Sequence, residues 1–187
     1  MVRPGREQLS GEVEVDETYI GGHEKGKGGR HIGKKSLVII AAEVREKGTG
    51  RIRIKRIDSA SERNLIGFVQ EVVRPGSTVV TDGLPVYRQL ADLGYRHESR
   101  VAESRDQSSA TLPRVHRVAS LIKRWLLGTH QGSFSKRLMS GYLDEFTFRF
   151  NRRLSTSRGM VFYRLAQQAI VTKKTEDRIL GVGKVPV

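Results

Sequence analysis

The fold is decided chiefly by residues 11–20, which read GEVEVDETYI. Val13 and Val15 alternate with acidic residues, and this period of two is typical of a strand with one buried face. Asp16 lies near the end of the stretch. The pattern therefore predicts a first strand that carries a carboxylate.

Two further strand patterns follow. Residues 36–43 are mainly apolar, and residues 51–57 (RIRIKRI) alternate isoleucine with basic residues. The Lys-Gly-Thr-Gly sequence of residues 47–50 joins them and is typical of a turn. With the first strand, these segments predict an antiparallel meander.

A helix and a fourth strand come next. Residues 59–62 (SASE) have the spacing of a capping box, and apolar residues then recur at helical spacing until Pro75-Gly76. Residues 77–81 (STVVT) predict a short buried strand that ends directly before Asp82-Gly83. A brief helix is expected from there to a glycine cap at Gly94.

The second half of the chain is mainly helical by pattern. A fifth strand is expected at residues 96–102. A helix that starts at Pro113 carries an apolar stripe, and Gly128 is expected to close it. Two more helices and a disordered tail complete the expected elements, at residues 135–152, about 160–171 and 172–187.

This order of elements is that of an RNase H-like fold. We expect an α/β domain with a mixed five-stranded sheet flanked by helices, with extra C-terminal helices. In that fold the first strand runs beside the fourth, so Asp16 and Asp82 would face one another and could hold divalent cations. A chain of 187 residues fits one such domain.

Composition excludes several classes of protein. A chain without cysteine forms no disulfide framework, thiolate zinc site, iron–sulfur cluster or cysteine nucleophile. The longest apolar run, residues 37–42, is far shorter than the roughly 20 residues that span a bilayer. In the glycine-rich residues 21–35, no Gly-Lys pair precedes Ser or Thr, which excludes a Walker-type phosphate loop. We expect a cytoplasmic, nucleoid-associated protein with no membrane partner.

The charge favours a polyanionic partner. Lys and Arg number 34 against 20 Asp and Glu, which gives a net charge of +14. Basic residues that neutralise phosphates release condensed counterions, so nucleic acid is the leading candidate. A surface charge that serves only solubility is the alternative.

Four segments then stand out: VEVDETYIGG (13–22), VVTDG (79–83), LPRVHRVASLIKRWLLGTHQG (112–132) and YLDEFTFRFNRR (142–153). Over about residues 11–155 they resemble the catalytic domain of bacterial insertion-sequence transposases of the ISXO-like group. The resemblance implies a DDE-type transposase that uses Mg²⁺ or Mn²⁺. Two aspartates and a third residue on a later helix bind the metals in that family, and histidine occupies the third position in one branch.

The resemblance assigns roles to four residues. The aspartates fall on Asp16 and Asp82, the third metal ligand on His116, and a lysine seven residues further on Lys123. Seven residues are two helical turns, so His116 and Lys123 would share a helix face, with the ammonium group placed to bind a DNA phosphate. Because imidazole is neutral and softer than carboxylate, we expect weaker magnesium binding and relatively good support by manganese.

Double-stranded DNA, as transposon ends and target, is the expected partner. Trp125 is more typical of core than of a base-stacking platform. His130 is expected in a turn, where it would position DNA or the helix end without being catalytic. The residues expected to contact DNA are Lys123, Arg124, His130, Arg149, Arg152 and Arg153.

Each of these assignments has a simpler alternative. Asp16 and Glu17 could be ordinary acids at a strand edge, and Asp-Gly at residue 82 could be only a turn or a helix cap. His116 could be a surface histidine, and Lys123-Arg124 a solvated helix face. The four positions together, at the family's spacing, favour the functional interpretation.

Members of the resembled family commonly begin with a zinc ribbon and a helix-turn-helix. The first strand here starts about ten residues from Met1, so we expect residues 1–10 to be an N-terminal remnant, 11–155 the catalytic domain, and 156–187 a C-terminal helix and flexible tail. The expected function is strand cleavage and strand transfer by a homo-oligomer on DNA, without its own end-recognition module. An RNase H-like nuclease without joining activity and a noncatalytic DNA-binding remnant are the alternatives.

Overall fold

The computed structural model describes residues 6–21, 35–101, 111–130 and 138–171. In chain order, three strands, a helix, a strand, a short 3₁₀ helix and a strand are followed by three helices. Their bounds are β1 (Glu12–Ile20), β2 (Ser36–Arg45), β3 (Gly48–Ile57), α1 (Glu62–Val72), β4 (Thr78–Thr81), the 3₁₀ helix (Pro85–Leu90), β5 (Arg96–Ser99), α2 (Pro113–His130), α3 (Met139–Asn151) and α4 (Arg158–Val171).

The five strands form one mixed sheet in the order β3-β2-β1-β4-β5. β1 is antiparallel to β2, and β2 to β3, as the meander pattern predicts. β1 is parallel to β4, and β4 to β5. This topology confirms the expected RNase H-like fold, in which the chain leaves the meander at one edge and crosses over to add β4 beside the central β1.

Each face of the sheet has its own hydrophobic core. Val13 and Val15 of β1 are fully buried on the face that α1 and the 3₁₀ helix cover. Ile20 and the apolar stripe of α2, which includes Val118 and Ile122, pack on the other face with α3. Trp125 packs at the margin of this second core, as its position in the sequence predicts.

Two helix boundaries differ from the sequence-based expectation. The capping box is absent: α1 begins at Glu62, and its N-cap residue is Ser61, whose side chain makes no cap hydrogen bond. The side-chain amide of Asn64 donates to the carbonyl of Ser59 at 2.9 Å. Gly128 does not close α2, since it lacks the positive φ of a glycine that ends a helix, and the helix continues to His130. His130 is thus a helical residue, not a turn residue.

Other expected segments lie partly or wholly outside the described residues. They are most of the glycine-rich loop, residue 102 of the expected fifth strand, the first residues of the 135–152 helix and the tail at 172–187. The fifth strand itself ends at Ser99, three residues earlier than expected. Within the parts of the chain that are described, no helix is both long enough and apolar enough to cross a membrane.

Candidate active site

Three carboxylates meet where β1 and β4 lie side by side. Ligand oxygens of Asp16, Glu17 and Asp82 all lie within 4.8 Å of one another. Asp16 and Glu17 are partly buried, and Asp82 is exposed. We call these three residues the carboxylate cluster.

The strand register explains why Asp16 and Asp82 meet. Glu12 pairs with Thr78 and Glu14 with Val80, so each residue of β1 is opposite the residue 66 positions later. Continued by two residues, this register brings Asp16 level with Asp82, which directly follows β4. Parallel pairing of β1 and β4 therefore places both carboxylates at the same end of the sheet.

The simpler alternative for Asp82, that it is a turn residue, is also correct. Leu84 donates its backbone N–H to Asp82 Oδ1 at 3.3 Å, and Gly83 adopts the positive φ of 92° that such a turn favours. The turn and the cluster are compatible, because the same hydrogen bond that shapes the turn fixes the carboxylate beside β1.

Helix α2 adds an imidazole and an ammonium group to this end of the sheet. His116 Nε2 lies 3.1 Å from Asp16 Oδ2, and Lys123 Nζ donates to Thr18 Oγ1 at 2.9 Å. Asp16 and Thr18 are two residues apart on one face of β1, and His116 and Lys123 are two turns apart on one face of α2. The structure therefore places His116 against Asp16 and Lys123 against Thr18, on the strand that carries two of the three carboxylates. His116 is not among the residues whose ligand atoms all lie within 4.8 Å of one another.

Glu14 holds the start of α2 against β1. It is 1% exposed, and its Oε2 accepts the backbone N–H groups of Arg114 at 2.7 Å and Val115 at 3.0 Å. Burial raises the pKa of the Glu14 carboxyl, and these two hydrogen bonds oppose that rise. Because His116 is the next residue along the helix, this buried contact determines where the imidazole lies.

Glu17 is the member of the site that the sequence does not predict. The Tyr87 hydroxyl, on the fully buried Tyr87 side chain, donates to Glu17 Oε1. Burial, together with the charges of Asp16 and Asp82, raises the pKa of Glu17 to about 7. The only sequence signal is the Asp-Glu pair itself, and strict alternation along a strand assigns Glu17 to the face opposite Asp16.

The electrostatics of the cluster suit a cation. Burial and the charge of Asp16 raise the pKa of Asp82, while the nearby His116 lowers it. Burial lowers the pKa of Lys123, the charge of Asp16 raises it and that of Lys35 lowers it. Oxygen donors that repel one another at this spacing are what a hard divalent cation binds, so the donor set fits Mg²⁺ or Mn²⁺.

The other residues expected to contact DNA lie away from the carboxylates. Arg124, Arg149 and Arg153 line a groove on a neighbouring side of α2, between α2, α3 and the β2–β3 turn. Arg152 lies over the ring of Phe148, 3.9 Å from its centroid, and is not among the described residues that line this groove. His130 ends α2, and its side chain is outside the described part of the chain.

The chain was compared with known protein families. A profile of the ISXO2-like transposase domain matches residues 8–151. No curated protein matches the sequence.

Three solved structures illustrate the likeness in fold. A chain of the simian T-cell lymphotropic virus intasome in complex with PP2A regulatory subunit B56 gamma is 11% identical, over 79% of this chain and 54% of that chain, with a TM-score of 0.49. For the HTLV-2 integrase catalytic core domain in complex with magnesium (trimeric form), the identity is 11%, the coverage 81% and 92%, and the TM-score 0.48. The Mos1 strand transfer complex is 14% identical, over 80% of this chain and 54% of that chain, with a TM-score of 0.37. The chain thus spans about half the length of the first and third of these.

Proposed function

The chain belongs to the ISXO2-like transposase domain family, and we propose that it is the catalytic domain of a metal-dependent DNA transposase. In this proposal it cleaves DNA strands at the ends of an insertion sequence and joins the freed 3′-hydroxyl to target DNA. Double-stranded DNA is the substrate, and a homo-oligomer on DNA is the acting form. The proposed catalytic domain covers residues 11–155.

One observation carries the proposal more than any other. Asp16 and Asp82 are 66 residues apart in sequence, yet the parallel pairing of β1 and β4 places their oxygens within 4.8 Å together with Glu17. A fold does not gain stability from three carboxylates at this distance, because like charges repel. Function is the simplest reason for the arrangement.

Asp16 and Asp82 would hold the metal, with His116 as the third ligand and Glu17, a third carboxylate, close by. A bound Mg²⁺ or Mn²⁺ would neutralise the charge that develops on the attacking and leaving oxygens of the phosphodiester. The protein's part is to hold these ligands at one end of the sheet, where His116 Nε2 lies 3.1 Å from Asp16 Oδ2, a spacing at which both atoms could reach the same ion.

Lys123 would bind the substrate rather than the metal. Its Nζ lies on the same helix face as His116, and Thr18 accepts one of its hydrogen bonds at 2.9 Å. An ammonium group carries three donors, so others can reach a phosphate oxygen while the bond to Thr18 fixes the side chain. Lys123 would thus align the scissile phosphate with the carboxylate cluster.

Calorimetric titration with Mn²⁺ at pH 7.5 tests the proposal. We expect the wild-type chain to bind the ion, and we expect Asp16→Asn and Asp82→Asn each to abolish binding, because each removes a ligand charge. Asp92→Asn is the matched control, since Asp92 is exposed and lies after the 3₁₀ helix. An absence of binding in the wild type, or binding that survives both substitutions, would favour the noncatalytic remnant.

Metal preference tests the role of His116. Replacing it by glutamate adds a negatively charged, harder ligand, so we expect His116→Glu to strengthen Mg²⁺ binding more than Mn²⁺ binding. The same titration, run with each metal, measures this, and about a tenfold gain for Mg²⁺ corresponds to about 1.4 kcal/mol. Equal affinities of variant and wild type for both metals would show that His116 is not a ligand.

A further inference from the structure

A second site is built on a different side of α2. A groove of about 780 Å³ lies between α2, the C-terminal half of α3 and the β2–β3 turn. Its floor is apolar and partly aromatic, and consists of Leu121, Trp125, Phe146 and Phe150. We call it the basic groove, after the residues of its rim.

The rim is made of cations. Six basic residues and no acidic residue are among the described residues that line the groove, namely Lys47, Arg114, Arg117, Arg124, Arg149 and Arg153. Only Arg149 among them has a described ion pair, with Glu145 at 2.8 Å, and its side chain remains 68% exposed. The rim therefore presents an excess of positive charge to solvent.

The spacing of these residues makes a track. Arg114, Arg117 and Arg124 of the rim, with Leu121 of the floor, recur at intervals of three and four residues. They therefore form one stripe along α2, about 15 Å long at 1.5 Å per residue. The stripe is about a third of a turn from the face that carries His116 and Lys123. A ligand on this stripe would thus lie beside the carboxylate cluster without occupying it.

One of these cations, Arg153, is also held in place. Arg153 donates to the carbonyl oxygens of Thr49 and Phe150 and lies 3.9 Å from the centroid of the Phe150 ring. Burial lowers the pKa of Arg153, and the positive charges of Arg45 and Arg117 lower it further. A polyanion with apolar parts would reduce the repulsion between these positive charges and cover the aromatic floor.

We propose that the basic groove binds the sugar-phosphate backbone of a DNA strand, as a second contact separate from the scissile phosphate. Phosphate oxygens would bind the arginines of the rim, and the deoxyribose faces would pack on the apolar floor, since phosphate and sugar receive most protein contacts to DNA. A positively charged groove that follows the backbone is also found in channels for nucleic-acid strands. The inference rests on the proposed function for the identity of the polyanion as DNA, and on the groove itself for the place where it binds.

Fluorescence anisotropy with labelled 20-mers, one duplex and one single-stranded, tests this in EDTA at several salt concentrations. We expect Arg117→Gln with Arg124→Gln to weaken binding about tenfold or more and to reduce the slope of log K against log salt by about 2. The matched control is Arg63→Gln with Arg74→Gln, which removes two exposed charges in and just after α1, on the opposite face of the sheet. Circular dichroism verifies that each variant is folded.

The chain contains a single tryptophan, so its emission is a direct reporter of the groove. We expect DNA to change Trp125 fluorescence in the wild type, with a midpoint that shifts about tenfold in the groove variant and not in the control. A loss shared by both probes assigns the groove to a duplex backbone, and a loss confined to the single-stranded probe assigns it to a separated strand. Equal slopes for groove variant and control would overturn the inference.

DNA binding is measured in EDTA and metal binding in a separate titration, so the groove inference and the proposed function can fail independently. If manganese does not bind but the groove variant loses DNA affinity, the catalytic proposal fails and the groove stands. If manganese binds at Asp16 and Asp82 while the groove variant binds DNA as the wild type does, the groove inference alone is wrong.

Discussion

Replacing Asp82 by asparagine is expected to reduce metal-dependent DNA cleavage at least about 1,000-fold. The substitution keeps the shape of the side chain and an oxygen that can accept the Leu84 N–H, so the turn after β4 is retained. It removes one negative charge from the cluster. Loss of about 4 kcal/mol of transition-state stabilisation by the metal corresponds to this factor.

Nicking of a supercoiled plasmid in Mn²⁺ is the appropriate measurement, because it requires neither a known terminal repeat nor a second protein domain. Asp16→Asn should have an effect of the same size, and Asp92→Asn should cleave like the wild type. Cleavage by Asp82→Asn at more than about a tenth of the wild-type rate would show that Asp82 is no metal ligand.

The products of the active chain separate two enzymatic interpretations. A transposase joins a 3′-hydroxyl end to a second DNA, so a labelled oligonucleotide with a free 3′ end should appear covalently attached to the plasmid. A nuclease of the same fold would leave only nicked and linear plasmid. Joined product that disappears in Asp82→Asn is the result expected from the proposed function.

Much of the fold follows from local pattern. The period of two in β1 and the helical stripe of α2 arise from burial of one face, which every window of the sequence records. The place of β4 beside β1 is not a local property, and it became predictable only because the order of elements is that of one known topology. Asp16 and Asp82 could be paired for that reason.

Other parts of the site could not be predicted because they depend on tertiary contacts. Glu14 has the sequence pattern of a solvent-facing strand residue, yet it is buried under the first turn of α2. Glu17 joins the cluster although alternation assigns it to the other face. The prediction that α2 ends at Gly128 was wrong for a related reason. A glycine of this kind ends a helix where it adopts the left-handed conformation, and Gly128 does not have a positive φ.

Replacing Glu14 by alanine is expected to lower the free energy of unfolding by about 3 kcal/mol. The change leaves two N–H groups at the start of α2 without their acceptor, and it removes a nearly fully buried side chain from between β1 and the helix. An unsatisfied buried donor costs about 1–3 kcal/mol, and the space left behind adds to that cost. Urea unfolding followed by circular dichroism measures the difference.

Two variants show whether the hydrogen bonds are responsible. Glu14→Gln keeps an oxygen acceptor in the same place, so we expect a loss of only about 1 kcal/mol. Glu12→Ala removes an acid from the same strand, but that side chain is 38% exposed and pairs with Arg100 at the surface, so its loss should cost less than about 1 kcal/mol. If Glu14→Ala were no more destabilising than Glu12→Ala, the buried contact would contribute little.

Glu14→Ala should also affect metal binding at the candidate active site, so the same contact would serve both stability and function. His116 follows the two residues whose N–H groups Glu14 accepts, and its Nε2 lies 3.1 Å from Asp16. If Glu14 positions this turn, Glu14→Ala will bind Mn²⁺ more weakly even under conditions in which the variant is folded. Glu14→Gln will bind Mn²⁺ nearly as the wild type does. A folded Glu14→Ala chain with wild-type affinity would mean that β1 and β4 alone fix the metal ligands, and that α2 contributes substrate contacts only.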